Sequence, residues 1–526
     1  MKLKGLGNRA YNILFHTHTV AGLVISVALY IIFFAGAFTL FKPEFYTWEN
    51  PAARHAAKRP VDVVATFEAL RAQVPGVDHN EGTILVFPTD LNPTIQAYGH
   101  ILKDGKEEHF AYKLDPAKLT VQETSASTVG ETLFRLHYLD QLPYAGRWIA
   151  GFVSLFFVMV VINGLLIHWK NLLTKFWSLS FKGTWKQIWT NSHTVLGVLG
   201  LPYQLMYAVT GAFYLLLILV LLPAVALFYE GDAEKVYGLA YPAFSVKVDP
   251  GAPAADHIAH IHHIDELVRT RYGKDFDILG VQASNVYKAD GIISYRLGSK
   301  DPRTFSGDGY VGYRLSDYSE VYASIPGINK KFTHKIVEAL NHLHFATFGG
   351  ILVKTLYFIM ALFTCFVIIS GILIWKTARN QPKYTARQRR FHHGVTMVFL
   401  AVCFGLFPAT ALLFSAELLI GGGSGHSDLV NTCFFLSWLT FSLVGIFLGS
   451  EKHVTRFNLV CGGVLSFTVP LANGFQTGDW FWKAVSDMQY VAATDIFWLL
   501  TGVLCLCLSL SFPRHVRAGG LSKVEK

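Results

Sequence analysis

Eight apolar runs, each close to the roughly 20 residues an α-helix needs to cross a hydrocarbon core, constrain this chain more than any other feature. They begin near Val20, Ile149, Val195, Leu352, Val395, Leu429, Leu459 and Val491. Backbone in lipid must satisfy its own polar groups, so such runs fold as membrane helices. With 52% hydrophobic residues among 526, lipid is the solvent for much of the chain and a soluble enzyme is excluded. The first run, Val20 to Phe41, is too long for a signal-peptide core and lacks a persuasive small-residue cleavage site, so it reads as a retained signal anchor.

The formal charge of +9 would suggest an anionic partner for a soluble protein. Here the basic residues concentrate in alternate connections, so they set orientation and imply no nucleic-acid partner. Lys2, Lys4 and Arg9 precede the first run; Lys170, Lys175, Lys182 and Lys186 separate the second and third; Arg379, Lys383, Arg387, Arg389 and Arg390 separate the fourth and fifth. Lys452 and Arg456 follow the sixth, and Arg514 and Arg517 the eighth. The positive-inside rule then places both termini in the cytoplasm and the two large polar segments outside. All six cysteines (Cys365, Cys403, Cys433, Cys461, Cys505, Cys507) fall within the apolar runs, which leaves the outer segments without a disulfide framework. Cys505 and Cys507 read as small apolar residues of a lipid-facing helix.

An internal repeat decides which residues correspond. The first run reads His18-Thr19-Val20-Ala21-Gly22 and reaches Gly36-Ala37-Phe38; the third reads His193-Thr194-Val195-Leu196-Gly197 and reaches Gly211-Ala212-Phe213. The interval from His18 to Gly36 equals the interval from His193 to Gly211. Leu136-His137 introduces the second run and Leu343-His344 the fourth; Gly164 and Gly371 stand at equal distances beyond these histidines, followed by Trp169-Lys170 and Trp375-Lys376. The polar segments between, from about Lys42 to Ser127 and from about Gly231 to Gly327, each read as a small α+β domain. A helix (Val61 to Val74; Ala254 to Tyr272) precedes β-rich runs such as Thr83 to Phe87, Phe110 to Leu114, Ile292 to Leu297 and Tyr310 to Leu315. Residues 1–41, 131–230 and 331–378 then hold the first four transmembrane helices, 42–130 and 231–330 the two outer domains, and 379–526 a bundle of four further helices with a Gly421–Gly425 turn and an interfacial Asp479–Gln489 stretch. The expected fold is an all-α polytopic membrane bundle of about eight transmembrane helices with two small outer α+β domains and an internal pseudo-two-fold repeat.

Ionisable residues at membrane depth usually face a pathway or a cofactor. A neutral imidazole ligates haem iron, and two axial histidines leave no open position for dioxygen, which favours electron transfer. A pseudo-two-fold axis along the membrane normal sets equivalent residues face to face at one depth. His18 therefore pairs with His193 near the inner face, and His137 with His344 near the outer face, each pair a candidate metal-ligating, haem-binding site. With no Cys-x-x-Cys-His in the chain, the haem is b-type, with two expected. Gly22 with Gly197 and Gly36 with Gly211 would admit a flat macrocycle or close helix packing. Across a core about 30 Å thick the two irons would stand far apart, so either the haems lie deeper than the helix starts suggest or an intermediate carrier exists.

His16 and His342 have Asn191 and Arg135 as repeat counterparts, so symmetry does not select them, although each could replace its neighbour; His168 has no evident partner. His257, His260 and His263, three apart on an outer helix with His262 beside them, form a surface metal site or a solvated face. His392-His393-Gly394 opens the fifth run as a further haem site or as snorkelling residues.

These residues carry a resemblance. Its carriers are the His18-to-Gly22 and His193-to-Gly197 starts, Leu136-His137 followed by Gly146-Arg147-Trp148, the Leu343–Gly350 segment, the Trp-Lys endings and the outer Tyr112-Lys113-Leu114-Asp115 signature. From the N-terminus to about Lys376 the chain resembles the PepSY-associated transmembrane family, which includes ferric-siderophore reductases. The resemblance implies periplasmic PepSY-like domains in the bacterial inner membrane, haem on His18, His137, His193 and His344, and reduction of ferric siderophore outside the cytoplasm. Softer Fe(II) is held less tightly by hard oxygen ligands, so reduction becomes release. The extra C-terminal helices and the second signature, decayed to Tyr313-Arg314-Leu315-Ser316, depart from it. No flavin or nicotinamide fingerprint is present, so the expected donor is a cytoplasmic reductase or reduced flavin. Two other readings stay open: a PepSY scaffold or regulator without redox activity, and a transporter of haem or an iron complex.

Overall fold

Nothing in the first apolar run breaks the backbone ladder, so it forms one helix, α1 (Asn8–Thr39), whose second half is largely buried. The computed structural model describes residues 7–511 apart from 52–53, 55–59, 78, 80–81, 90, 104–105, 124–128, 178–179, 181, 242–245, 250, 302–304 and 422–424. Lys2, Lys4, Arg514, Arg517 and the centre of the glycine-rich turn lie outside the described residues. Pro43 restarts the chain as α2 (Lys42–Glu49), in the first turn, where its missing N–H costs no bond.

The first outer segment gives α3 (Val63–Gln73), capped by Asp62 accepting from the Ala65 N–H, then β1 (Thr83–Val86), β2 (Ile95–Lys103), β3 (Lys106–Leu114) and β4 (Val121–Glu123). Next come α4 (Val129–His137), α5 (Gly146–His168), α6 (Leu172–Phe176), α7 (Trp185–Leu199), α8 (Leu201–Phe228) and α9 (Ala233–Ala240). The second outer segment gives α10 (His260–Tyr272), β5 (Phe276–Ser284), β6 (Ile292–Ser299), β7 (Gly309–Arg314) and β8 (Glu320–Ser324). The chain continues as α11 (Phe332–Phe345), α12 (Gly350–Arg379), α13 (Ala386–Leu419), α14 (His426–Phe447), α15 (Glu451–Thr477), α16 (Phe481–Asp487) and α17 (Gln489–Ser511).

Among the described residues seven helices (α1, α5, α12, α13, α14, α15 and α17) are long and apolar enough to cross a membrane, and α7 with α8 makes an eighth if the pair is one span. That pair bends by 68° where Gly200 and Pro202 interrupt the apolar run, because proline lacks the N–H that would continue the ladder.

The two outer segments do not build separate sheets. They share one antiparallel sheet in the order β4-β3-β2-β1-β5-β6-β7-β8. The join is β1 against β5, Thr83 to Val86 opposite Ala283 to Gly280, and it covers edges that two isolated domains would leave open. Leu85, Val281, Tyr295 and Val311 form a row across one face, buried under Phe67, Leu70, Ile261, Ile264 and Val268 of α3 and α10. The opposite face carries Tyr98, Gln282, Ser294 and Tyr322 in the next row. That face looks toward the helical bundle: Tyr98 lies within electrostatic reach of Glu131 on α4, and burial followed by that carboxylate pushes its phenol up to about 12.

His137 and His344 do not open the returning spans. They lie on short helices of their own, α4 and α11. Leu139 and Tyr144 after the first, and Ala346, Gly349 and Gly350 after the second, have positive φ, and left-handed residues stop a helix.

Of the last four spans, α13 and α17 pack onto α1 and α2. Trp498 stacks on Phe38 with ring centres 6.1 Å apart, and Phe414 meets Phe45 at 4.9 Å. Trp48 donates to Asp495 at 2.9 Å, and the buried Arg54 guanidinium bonds Asp479, Asn473, Thr477 and the Trp48 carbonyl. These contacts, with Lys113 of β3 in electrostatic reach of Glu417, place the sheet at one end of the bundle, where α1, α8 and α13 finish.

Candidate functional site

The repeat brings its histidines together in pairs. His18 of α1 and His193 of α7 stand with ring centres 6.3 Å apart and ring planes at 89°. His137 and His344 stand 6.1 Å apart at 46°. Two imidazoles sharing one metal through Nε2 at about 2.0 Å each, with each ring centre about 1.1 Å behind its nitrogen, stand about 6.2 Å apart. Both pairs have that spacing.

Each ring is held by its other nitrogen. Nδ1 of His18 meets the Val160 carbonyl at 2.9 Å, Nδ1 of His193 the Val367 carbonyl at 2.9 Å, and Nδ1 of His137 the Ile32 carbonyl at 2.8 Å. A carbonyl only accepts, so these three rings carry their proton on Nδ1 and present the Nε2 lone pair. His344 reaches the same state by another route: its Nδ1 lies 2.7 Å from the Thr210 hydroxyl, which donates its own proton to the Met206 carbonyl at 2.8 Å. Such outer partners orient a metal ligand and raise its basicity.

Glycines make room. A Cβ on Gly164 would stand 3.3 Å from His18 Cε1, and one on its repeat counterpart Gly371 would stand 3.3 Å from His193 Cε1. A Cβ on Gly36 would come within 2.6 Å of His137 Nδ1, whereas Gly211 faces Ser154 instead of His344. Gly197 is open on its outer side, and a Cβ on Gly22 would touch only Val160 at 4.0 Å. Beside the outer pair lies a mostly apolar cavity of about 290 Å³, bordered by Phe33, Phe157, Tyr203, Tyr207, Tyr214 and Arg147. Its size is near the lower end of the range for small-molecule sites.

The pairs are closer than opposite membrane faces would put them. His18 and Ile32, which anchors His137, both lie on α1, about four turns and so about 21 Å apart. Aromatic rings gather at the outer pair: Phe33 lies 6.3 Å from Tyr203, Tyr203 lies 4.6 Å from Tyr207, and Tyr207 lies 5.0 Å from His344.

The other histidines stay apart from these pairs. His16 is exposed beside Phe15. His168 is in electrostatic reach of His193 without joining the pair. His260 bonds the Leu315 carbonyl, and His257 and His263 lie beside His260 and Tyr318 respectively. His392 packs on Trp375, and His393 bonds the Gly449 carbonyl, and among the described residues neither makes a ring contact with another histidine. Sequence reasoning missed Asp308 and Glu338, whose ligand atoms lie with that of His342 within 4.8 Å of one another. Lys330 pairs with Glu338 and Arg296 with Asp308, so this is an ion-pair cluster. Sequence reasoning also missed Thr210, although it stands immediately before the repeated Gly211.

Fold and site together define a polytopic helical membrane protein with one extramembrane sheet and two imidazole pairs stacked along its bundle. A model of the PepSY-associated TM region matches residues 15–379, well over half of the chain, and the chain belongs to that family. No curated protein matches it.

Proposed function

We propose that the protein is a b-type haem protein of the bacterial inner membrane that moves electrons from the cytoplasmic side to the periplasm and reduces ferric siderophore there, so that ferrous iron is released. The observation carrying this reading is the pair of 6.3 and 6.1 Å ring separations, with Nδ1 of each ring anchored and Nε2 left free of that anchor. His18 with His193 would hold one haem and His137 with His344 the other. A haem held by two histidines supplies one-electron exchange with no open coordination position. The protein's own contribution is to fix the imidazole tautomers, keep the rings at metal-sharing distance and line the outer site with aromatic rings that disfavour water.

Orientation follows from Lys170, Lys186, Arg379, Arg389, Lys452 and Arg456, which lie at the helix ends away from the sheet; a basic end is a cytoplasmic end. The sheet is then periplasmic. Its bundle-facing row of Tyr98, Gln282, Ser294 and Tyr322 supplies hydroxyl, amide and ring surfaces suited to a polar iron chelate. Electrons come from a cytoplasmic reductase or reduced flavin.

Optical spectra of purified wild type beside His18→Ala and His137→Ala test the reading. Each variant is expected to lose one of two haem equivalents. Protein from haem-replete cells with no Soret band, or spectra unchanged in both variants, would defeat it and favour a scaffold.

A further inference from the structure

At the end of the bundle away from the sheet, α12 and α13 enclose a second cavity, of about 130 Å³, walled by Lys376, Arg379, Asn380, Arg389, His392 and His393. That is well above the roughly 10–15 Å³ a single water needs. A lysine, two arginines and two imidazoles line it, and among the described residues Glu451 lies against them, paired with Lys376 and 3.8 Å from His393. Arg379 stacks on Trp375 with its guanidinium 4.8 Å from the ring centre, which presets that side chain. His392 packs edge-on against the same tryptophan, and its Nδ1 is buried with no hydrogen-bond partner. A buried ring nitrogen left unpaired calls for a partner, and as an N–H it takes an acceptor. The cavity begins at Lys376, a little beyond Gly371, the glycine beside His193, hence about 8 Å further along α12.

We propose that this cavity is a phosphate-binding site. Arginine forks match the geometry of phosphate oxygens, a lysine adds a point charge, and His392 Nδ1, carrying its proton, donates to a phosphate oxygen. The phosphate is presented at the cytoplasmic surface either by a soluble anion or by a lipid headgroup. The site stands on the cluster alone; only its use as the dock of a phosphorylated electron donor rests on the redox reading.

The full-length protein in phosphatidylcholine nanodiscs is titrated with oxidised flavin mononucleotide and with riboflavin, which share a ring system and differ in the phosphate, and binding is read from flavin fluorescence. In parallel, native mass spectrometry counts phosphatidylglycerol retained by protein extracted from membranes containing it. A soluble source gives tighter binding of the mononucleotide than of riboflavin, weakened about tenfold by Arg389→Gln and further by Arg379→Gln, and unchanged by Lys383→Gln outside the cavity. A lipid source gives one retained phosphatidylglycerol in wild type and none in the double variant. Arg389 is exposed in the first turns of α13, so its single variant stays informative if the double variant misfolds. Equal binding of both flavins, together with lipid retention indifferent to the arginines, overturns the proposal whatever the haem spectra show.

Discussion

Replacing Gly36 by alanine tests the outer histidine pair with one methyl group. The new Cβ would stand 2.6 Å from His137 Nδ1 and 2.7 Å from Cε1. Ordinary contact starts at 3.4 Å, so the ring must retreat by about 0.8 Å, while metal–ligand distances hold to about ±0.2 Å. The same retreat stretches the 2.8 Å bond to the Ile32 carbonyl, and leaving that buried donor unsatisfied costs about 1–3 kcal/mol. The helix propensity gained from Gly→Ala, about 1 kcal/mol, offsets part of the loss. The expected outcome is a near-normal melting midpoint with haem falling from two equivalents to about one, read from absorbance and pyridine haemochrome. Gly197→Ala, whose Cβ would meet nothing within 4 Å, serves as the matched control at the other pair. Two full equivalents with an unshifted spectrum in Gly36→Ala would refute the argument that the His137 ring is fixed where a metal needs it.

Thr210→Val keeps the shape but removes the acceptor of His344 Nδ1, and is expected to weaken haem retention at the outer pair alone by about 10–100-fold, as loss of such a partner does elsewhere; haem transfer to apomyoglobin measures it. Arg54→Met strands Asp479, Asn473 and the Trp48 carbonyl around a side chain with no solvent exposure, and should cost about 3–5 kcal/mol, seen as a lower thermal midpoint. Burial raises the Asp140 carboxyl, but bonds from Arg147 and Arg135 outweigh it and leave it below its usual value. Its contribution is therefore complete above the unfolded carboxylate range and is lost as pH falls through the folded value. Asp140→Asn should accordingly melt lower than wild type at pH 7, with the gap closing as the medium is acidified below about pH 4; a gap that widens contradicts the sign. In a potentiometric titration, the step missing from His18→Ala should be the lower-potential one.

The spans, the repeat and the histidine partners were legible because all three are written locally, in apolar run length and in the matched intervals from His18 to Gly36, His193 to Gly211, His137 to Gly164 and His344 to Gly371. The joined sheet was not. Everything from β2 to α10 separates β1 from β5 in the chain, and only their pairing makes one sheet of two segments. β2 and β5 were also missed, since Gly99 and Gly280 interrupt their alternation. The placement of His137 and His344 on helices of their own escaped notice because positive φ at Leu139, Tyr144 and Ala346 leaves no mark in residues that seldom adopt it. The expected span at Val195 carried its own warning in Gly200 and Pro202, where the chain bends by 68°. Anchors such as Ile32 and Val367 act through backbone carbonyls, and a carbonyl has no side-chain signature.

Those anchors also make the two pairs unequal, and the inequality has a direction. At the inner pair both rings give their Nδ1 proton to main-chain carbonyls, and His193 has the Ser370 hydroxyl at 3.1 Å as well. At the outer pair only His137 has a carbonyl; His344 has the Thr210 hydroxyl oxygen. A carbonyl polarised within a helix accepts more strongly than a neutral hydroxyl, so the inner imidazoles are the more basic ligands. More basic ligands favour the higher oxidation state and lower the potential of the metal they hold. The inner pair should then sit below the outer one, which makes transfer from the basic end of the bundle toward the sheet downhill. Thr210→Val, which removes the weaker acceptor, should widen the separation by raising the outer step alone. A variant that moves the inner step instead would show that the difference arises from burial or charge and not from the hydrogen bonds behind the rings.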